Sequence, residues 1–537
     1  MAIRAPKMSY WQDAPVPRGQ LVLFTTTLED RIPADHPVRL LDEILDEMDW
    51  TIWESKYVGN VGKPPIHPSV LCKVLLYAMS QRTRSSRDIE YKVGHSIDFI
   101  WLASGRTLDH TTLSEFRRKN GEALKDIYKQ MVSLAISMGV AKLSELCIDG
   151  TKIQADASRF KTYKRENVSK LIEVLDAQIS EALASMESSD AVDDFFEDGQ
   201  PADKLPAELS DIHQRRAKLH EVLAQLEQME EQRRRDGIDN KKNPAQLPKG
   251  DLDSRILPNK TGGYAPNYTP MAVTETVSGL IVGEDVLIGT VEHTCVMSML
   301  EEIEATYGTH TITLLADGAF ATGANLTAAE ERGTEMLSPV RQETVKEDNP
   351  AFRDDLTQPV AQADIPRLPI NPTTKRFDRS AFIYTAETDT YHCPAGKELK
   401  REGTVEKTIV GGVEVDRKNY RSHDCPGCPL ANLCRVKEDS KTGRKVGHDE
   451  YREVREQQAA RMQDPQVKER YNKRQHYGET QFAFIKANLG IRRFLLRGHA
   501  KVQVEWRWAC TTHNLMKMMT QIGKLRALST TEPATVS

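Results

Sequence analysis

The sequence predicts an α/β chain of the α+β kind, with a mixed sheet set among many helices. Three observations predict it. CIDGTKIQADA breaks from helical spacing into β-branched, roughly alternating sequence. MAVTETVSGLIVGEDVL reads as two strands turning at Ser278-Gly279. THTITLLADG is a further apolar strand lying between two helical segments, VMSMLEEIEATYG and GANLTAAEERG.

Each region has its own justification. Residues 1–140 read as an all-helical N-terminal domain suited to DNA binding or dimerisation. HPVRLLDEILDEMDW, HPSVLCKVLLYAMSQ and EALKDIYKQMVSLAISMGV carry apolar residues at helical spacing, and prolines mark helix starts. Asp109 or Thr111 is the N-cap before the basic turn Arg117-Arg118-Lys119. Arg84 and Arg87 flank two serines at another helix start. That pattern suits phosphate contacts, and ordinary capping with exposed arginines explains it equally well.

Residues 141–340 hold the sheet, interrupted at 161–250 by a helical insertion. KLIEVLDAQISEALASM and DIHQRRAKLHEVLAQLEQMEEQRRR form its hairpin, joined by a polar linker. A short strand at EMLSPV follows the second helix of the sheet region. Strand, strand, strand, helix, strand, helix fits a ribonuclease H-like sheet. Residues 341–469 are a second insertion, 470–527 supply closing helices, and 528–537 form an unstructured tail.

Length calls for two to four units, since the chain has 537 residues. No apolar run spans a bilayer, and the first residues lack a signal-peptide core, so a cytoplasmic protein beside the chromosome is expected. The net charge of −5 argues against general affinity for polyanions, but the charge is uneven. Between Lys486 and Arg526 the basic residues include Arg492, Arg493 and Arg497, and only Glu505 opposes them. Such a run is either a solvated helix face or a surface for phosphates.

Two aspartates each end an apolar run and precede or approach a turn: Asp149 in CIDG and Asp317 in LLADG. A carboxylate at the end of a buried strand is costly unless something pairs with it. Asp-Gly is also an ordinary turn signal. Glu479 lies in YNKRQHYGETQFAFIK, where Tyr471, Arg474 and Lys486 stand at roughly helical spacing around it. Three such acids form an oxygen-ligand site for a pair of Mg²⁺ (or Mn²⁺) ions, the chemistry of phosphodiester cutting and rejoining. Lys486 and Arg474 would meet phosphates, and Tyr471 would stack or hydrogen-bond.

The cysteines divide in two. Cys72, Cys147, Cys295 and Cys510 sit in apolar contexts as buried small hydrophobes, whereas Cys393 joins Cys425, Cys428 and Cys434 of HDCPGCPLANLCR. A Cys-x-x-Cys knuckle with two further thiolates reads as structural Zn²⁺, with an iron–sulfur cluster or free thiols as alternatives. Zinc there would fold the insertion without a large core of its own.

In order along the chain, RSSRDIE, LDHTTLSEFRR, IDGTKIQADAS, LLADGAF, YNKRQHYGETQFAFIKANLGIRRFLLRG and WACTTHNLMKM resemble the bacterial insertion-sequence transposases of the DDE class, most closely insertion-sequence family 1182. The resemblance implies a ribonuclease H-like core, Mg²⁺-dependent cleavage at the ends of a mobile element and strand transfer into target DNA. It implies that Asp149, Asp317 and Glu479 are the metal ligands and that Tyr471, Arg474, Glu479 and Lys486 map onto a tyrosine–arginine–glutamate–lysine signature. Arg474 lies one position further from Glu479 than is commonest, and Phe320 replaces a frequent tyrosine. Asp156, often asparagine in that family, is an accessory acid or has no role. The partners implied are double-stranded DNA and a second copy of the chain, with no membrane and no small-molecule substrate. A transposase-derived DNA-binding regulator and a structure-specific DNA nuclease are the alternatives.

Overall fold

The computed structural model describes residues 27–57, 65–187, 207–235, 238–259, 262–340, 349–410, 413–435 and 442–531. The linker between the insertion helices and the end of the tail lie outside these residues.

The N-terminal region folds as α1 (Pro37–Asp46), α2 (Thr51–Glu54), α3 (Pro68–Ser80), α4 (Ser86–His95), α5 (Ile97–Leu102), α6 (His110–Lys119) and α7 (Gly121–Ser137). Their starts follow local chemistry. Pro37 and Pro68 occupy first-turn positions, where a missing N–H costs nothing. Ser85 caps α4 by accepting from the Asp88 N–H, and Asp109 caps α6 by accepting from Thr112 at 2.9 Å. Helix α3 is buried nearly all round, from Leu71 to Met79, which makes it the centre of this layer.

The central sheet contains β1 (Glu145–Gly150), β2 (Ile153–Gln154), β5 (Arg255–Pro258), β6 (Tyr264–Glu275), β7 (Ile281–Leu287), β8 (Thr313–Leu315) and β9 (Glu335–Leu337). Its main order is β7-β6-β1-β8-β9. The first three strands run antiparallel, and β8 and β9 lie parallel to β1. β1 and β2 keep one register along β6, with Gly150 opposite Met271 and Ile153 opposite Tyr268. Between β7 and β8 runs α10 (Val296–Tyr307), and between β8 and β9 runs α11 (Gly323–Glu331). The hairpin expected at Ser278-Gly279 is β6–β7, with Gly279 at φ 72°, a conformation that glycine adopts without strain.

The helical insertion is α8 (Arg165–Glu187) and α9 (Ala207–Arg235), a hairpin with its own small core of Val168, Ile172, Val222, Leu226 and Leu247. It is tied at its base by the strand pair β3 (Thr162–Tyr163) and β4 (Leu247–Pro248).

The second insertion departs from expectation. It is a six-stranded antiparallel sheet, β10 (Ile383–Thr385), β11 (Thr390–His392), β12 (Glu398–Arg401), β13 (Glu406–Val410), β14 (Val413–Arg421) and β15 (Lys445–Asp449). It has a substantial core of Val360, Leu368, Phe377, Phe382, Tyr391, Leu399, Tyr420 and Val446. Burial of that apolar surface, rather than a metal alone, organises it. Cys393 and Cys434 pack against this core.

The chain then returns to the central sheet through α13 (Arg452–Arg461), α14 (Pro465–Asn472), α15 (Arg474–Ala487) and α16 (His499–Thr531), after the single turn α12 (Ala431–Cys434). Gln458 of α13 donates to the carbonyls of Met336 and Ser338, both at 2.9 Å, and so covers the edge of β9. Tyr471 and Arg474 fall on two successive helices, broken at Lys473, rather than on one. Helix α16 continues to Thr531, past the start of the expected tail. Its middle is buried between the sheet and the N-terminal helices. Trp506 donates to Met271 O, Trp508 to Arg117 O, and Asn514 pairs with both the N–H and the C=O of Ile281. The N-terminal helices, the central sheet and the closing helices therefore share one hydrophobic core.

Candidate active site

Strand pairing brings the two aspartates together. β1 and β8 pair Leu146 with Leu314 and Cys147 with Leu315. Asp149 and Asp317 each lie two residues beyond that last pair, on adjacent parallel strands about 4.8 Å apart. Alternation sends Cys147, Leu315 and Leu337 to one face, where they pack with Val467, Tyr471 and Tyr477 of α14 and α15. The same alternation turns Asp149 and Asp317 to that face, at the strand ends. Leu146, Ile148, Leu314 and Met336 face the main core on the other side.

Helices α14 and α15 run along this face, held by an arginine at each end of the strands. Arg470 bonds Glu145 and Glu335 at 3.1 Å each and Thr313 at 3.1 Å, the first residues of β1, β9 and β8. Four residues on, Arg474 reaches the strand ends. Its Nη2 lies 3.3 Å from Asp317 Oδ2 and its Nη1 3.6 Å from Asp149 Oδ2. Burial pushes the Arg474 guanidinium down, but the negative charges beside it, Asp149 foremost, outweigh this and hold it above its usual range. Its Cζ stands 6.0 Å from the Tyr471 ring centroid. Burial raises the Tyr471 hydroxyl pKa and pushes the Cys147 thiol up to about 12, so neither ionises at neutral pH.

One turn after Arg474, Gly478 lets α15 approach β1. A methyl group at 478 would come within 2.9 Å of Asp149 Oδ2 and 3.2 Å of Asp149 Cβ. Glu479 follows directly and is exposed. It shares a side of α15 with Lys486, seven residues or about two turns on. Lys486 donates to Thr151 Oγ1 at 2.6 Å and Lys152 O at 3.0 Å, immediately after Asp149-Gly150. Among the described residues, no three His, Cys, Asp or Glu side chains stand together closely enough to hold a metal ion. Arg474 lies between two of the candidate ligands.

The basic residues separate by environment. Arg87, Arg118, Arg492, Arg493 and Arg497 are exposed. Arg493 and Arg497 both pair with Asp156, at 2.5 and 2.8 Å, so that acid is engaged by arginines. Arg84 points inward. It bonds Glu505 at 2.6 Å and the carbonyl of Arg493 at 2.8 Å, and Arg117 in turn donates to Arg84 O. Glu505 is buried and also accepts from the backbone N–H groups of Leu495 and Leu496. Arg84 and Glu505 thus shape the loop that carries Arg492, Arg493 and Arg497, and that loop joins the sheet through a bridge from Arg493 to Gln154.

Sequence reasoning missed Arg470, Gly478 and Glu292. No local pattern singles out Arg470, whose partners come from three strands. Glu292 precedes α10, and a methyl at Gly150 would come within 2.9 Å of its Oε2, so a fourth carboxylate borders the strand end. Elsewhere, Cys393, Cys425, Cys428 and Cys434 line one pocket with Phe382, Leu399 and Arg444.

The site is thus a carboxylate pair at the ends of parallel strands, overlaid by α14 and α15, which bring Arg474 between the two acids. Residues 392–519 match the family model described as Transposase DDE domain, and residues 26–119 match Transposase domain (DUF772). Together the two matches indicate an insertion-sequence transposase of the DDE class. The first contains Glu479, Arg474, Lys486 and the four clustered cysteines, while Asp149 and Asp317 lie outside both. No curated protein matches the chain. No helix among the described residues is long and apolar enough to cross a membrane.

Proposed function

We propose that the chain binds the terminal repeats of an insertion sequence, cuts the DNA there and joins the freed ends to target DNA. The observation that carries this reading is the convergence of Asp149 and Asp317, from adjacent parallel strands, on a single cationic group. Two strand-end carboxylates that share a guanidinium fit a hard divalent cation in chemistry, because both supply anionic oxygen. Asp149, Asp317 and Glu479 would hold Mg²⁺ or Mn²⁺. Bound there, a pair of such ions supplies charge stabilisation for attacking and leaving phosphodiester oxygens. The strand order β7-β6-β1-β8-β9, three antiparallel strands followed by two parallel ones, supports a ribonuclease H-like core.

The remaining roles follow from position. Lys486 anchors α15 to the backbone beside Asp149 and aligns Glu479 with the pair. Arg492, Arg493 and Arg497 offer exposed guanidinium groups to DNA phosphates beside the sheet, with Arg87 and Arg118 doing so from the N-terminal helices. Arg117 contributes to the same surface from behind, through Arg84. In the second insertion, four thiols lining one pocket match structural Zn²⁺, or an iron–sulfur cluster, in donor type and number, and binding the metal would draw them closer together than they stand here. Joining two element ends calls for two copies of the chain. Within the class, the ordered motifs resemble those of insertion-sequence family 1182.

The test is cleavage of labelled end DNA in Mg²⁺. Wild type should cut it, and Asp149→Asn should bind DNA as tightly without cutting. Cleavage by the Asp149→Asn variant would remove Asp149 from the site.

A further inference from the structure

Arg474, the first residue of α15, sits between two carboxylates that favour its charge but hold it loosely. Its side chain is only 11% exposed. Its contacts with Asp149 and Asp317, 3.6 and 3.3 Å, are longer than the 2.7–2.9 Å usual for charge-assisted hydrogen bonds. Nη1 is buried and has no hydrogen-bond partner among the described residues. One long hydrogen bond to Asp317 and Coulombic attraction to both carboxylates therefore hold the guanidinium.

We propose that Arg474 is a resident counter-cation of the Asp149–Asp317 pair, which divalent metal displaces when it enters. The inference rests on the two-metal reading above. The same two carboxylates cannot neutralise both a guanidinium and divalent ions, and at this separation the like charges repel inside a partly buried site. Arg474 has somewhere to go, because the Tyr471 ring already flanks its guanidinium and the strand end opens to solvent at Asp317, which is 54% exposed. In the metal-free protein, Arg474 keeps two adjacent carboxylates from repelling each other. In the metal-loaded protein, it is released towards incoming phosphate. Metal entry and the arginine's availability to DNA thus become one equilibrium, with a coupling felt equally by both partners.

The test is Mn²⁺ binding to the full-length, DNA-free protein, followed by electron paramagnetic resonance, for wild type, Arg474→Gln, Arg474→Lys and Asp149→Asn. Arg474→Gln should bind Mn²⁺ about tenfold more tightly than wild type, within the usual range of such couplings. Arg474→Lys keeps the charge but loses the fork that spans both carboxylates, and should fall between the two. It also serves if the glutamine variant fails to fold. Equal Mn²⁺ affinity in wild type and both Arg474 variants, with Asp149→Asn weaker, would overturn the displacement while leaving the metal site intact. Mn²⁺ binding that is the same in Asp149→Asn as in wild type would overturn the two-metal reading itself.

Discussion

Gly478 offers the sharpest separation of stability from chemistry. Replacing a mid-helix glycine with alanine ordinarily stabilises a helix by about 1 kcal/mol. At 478 the new methyl meets Asp149 Oδ2 at 2.9 Å, Asp149 Cβ at 3.2 Å and Cys147 Sγ at 3.4 Å. The carboxylate oxygen can rotate away, but the Cβ and the buried sulfur yield only if α15 or β1 shifts. Overpacking of this size costs about 1–3 kcal/mol, so the net loss of stability for Gly478→Ala is about 0–2 kcal/mol. The effect on chemistry is larger. A catalytic group displaced by about 1 Å typically costs about a hundredfold in rate. Gly478→Ala should therefore lose at most about 2 kcal/mol in denaturant unfolding and still fold, yet cut end DNA about a hundredfold more slowly. Gly523→Ala is the control, because no atom lies within 4 Å of a methyl at that exposed position in α16. It should gain up to about 1 kcal/mol and keep full activity. Wild-type cleavage by Gly478→Ala would refute the claim that α15 is fitted against a working Asp149.

Other outcomes follow from the same packing. Arg84→Ala strands the buried Glu505 carboxylate and should cost about 3 kcal/mol in denaturant unfolding; exposed Arg87→Ala should leave stability unchanged and weaken DNA binding, with a shallower salt dependence. Burial holds the imidazoles of His448 and His513 down to a pKa of about 4, against about 6.5 when unfolded. As pH falls from 6.5 towards 5, the unfolded chain takes up these protons first, so stability is full above pH 6.5 and declines below it. Urea melts at pH 7 and 5 check this, and His448→Gln should flatten part of the slope. Elemental analysis should find one zinc per chain, or iron if a cluster is held instead, and Cys428→Ser should lose it. A purified protein with neither metal contradicts that site, and the core around Tyr391 and Tyr420 would then hold the insertion unaided.

Much of the central sheet was legible because it obeys local rules. Period-two apolar runs, a Ser-Gly turn and alternating helices gave β1, β6, β7, β8 and β9 their places, and capping chemistry at Asp109 and Ser85 marked helix starts. Asp149 and Asp317 stood out because each ends a buried run, but their adjacency depends on the parallel pairing of β1 with β8, separated by more than 160 residues in sequence. What the sequence hid is tertiary. Arg84 has the same flanking residues whether it faces DNA or Glu505, and only the path of α16 decides between them. The second insertion looked dependent on its cysteines because its core residues, among them Tyr391, Tyr420 and Val446, are dispersed over several strands and come together only in the folded sheet. The break at Lys473 carries no proline or glycine to announce it.

If one carboxylate site both cuts and joins DNA, labelled end DNA and a target plasmid incubated with Mg²⁺ and either wild type or Glu479→Gln will show it when cut and joined products are resolved. Wild type should give cut and joined products and Glu479→Gln neither, with DNA binding kept by both. Equal cutting by both would contradict the assignment of Glu479, and cut ends that never join would contradict transposition in favour of a nuclease.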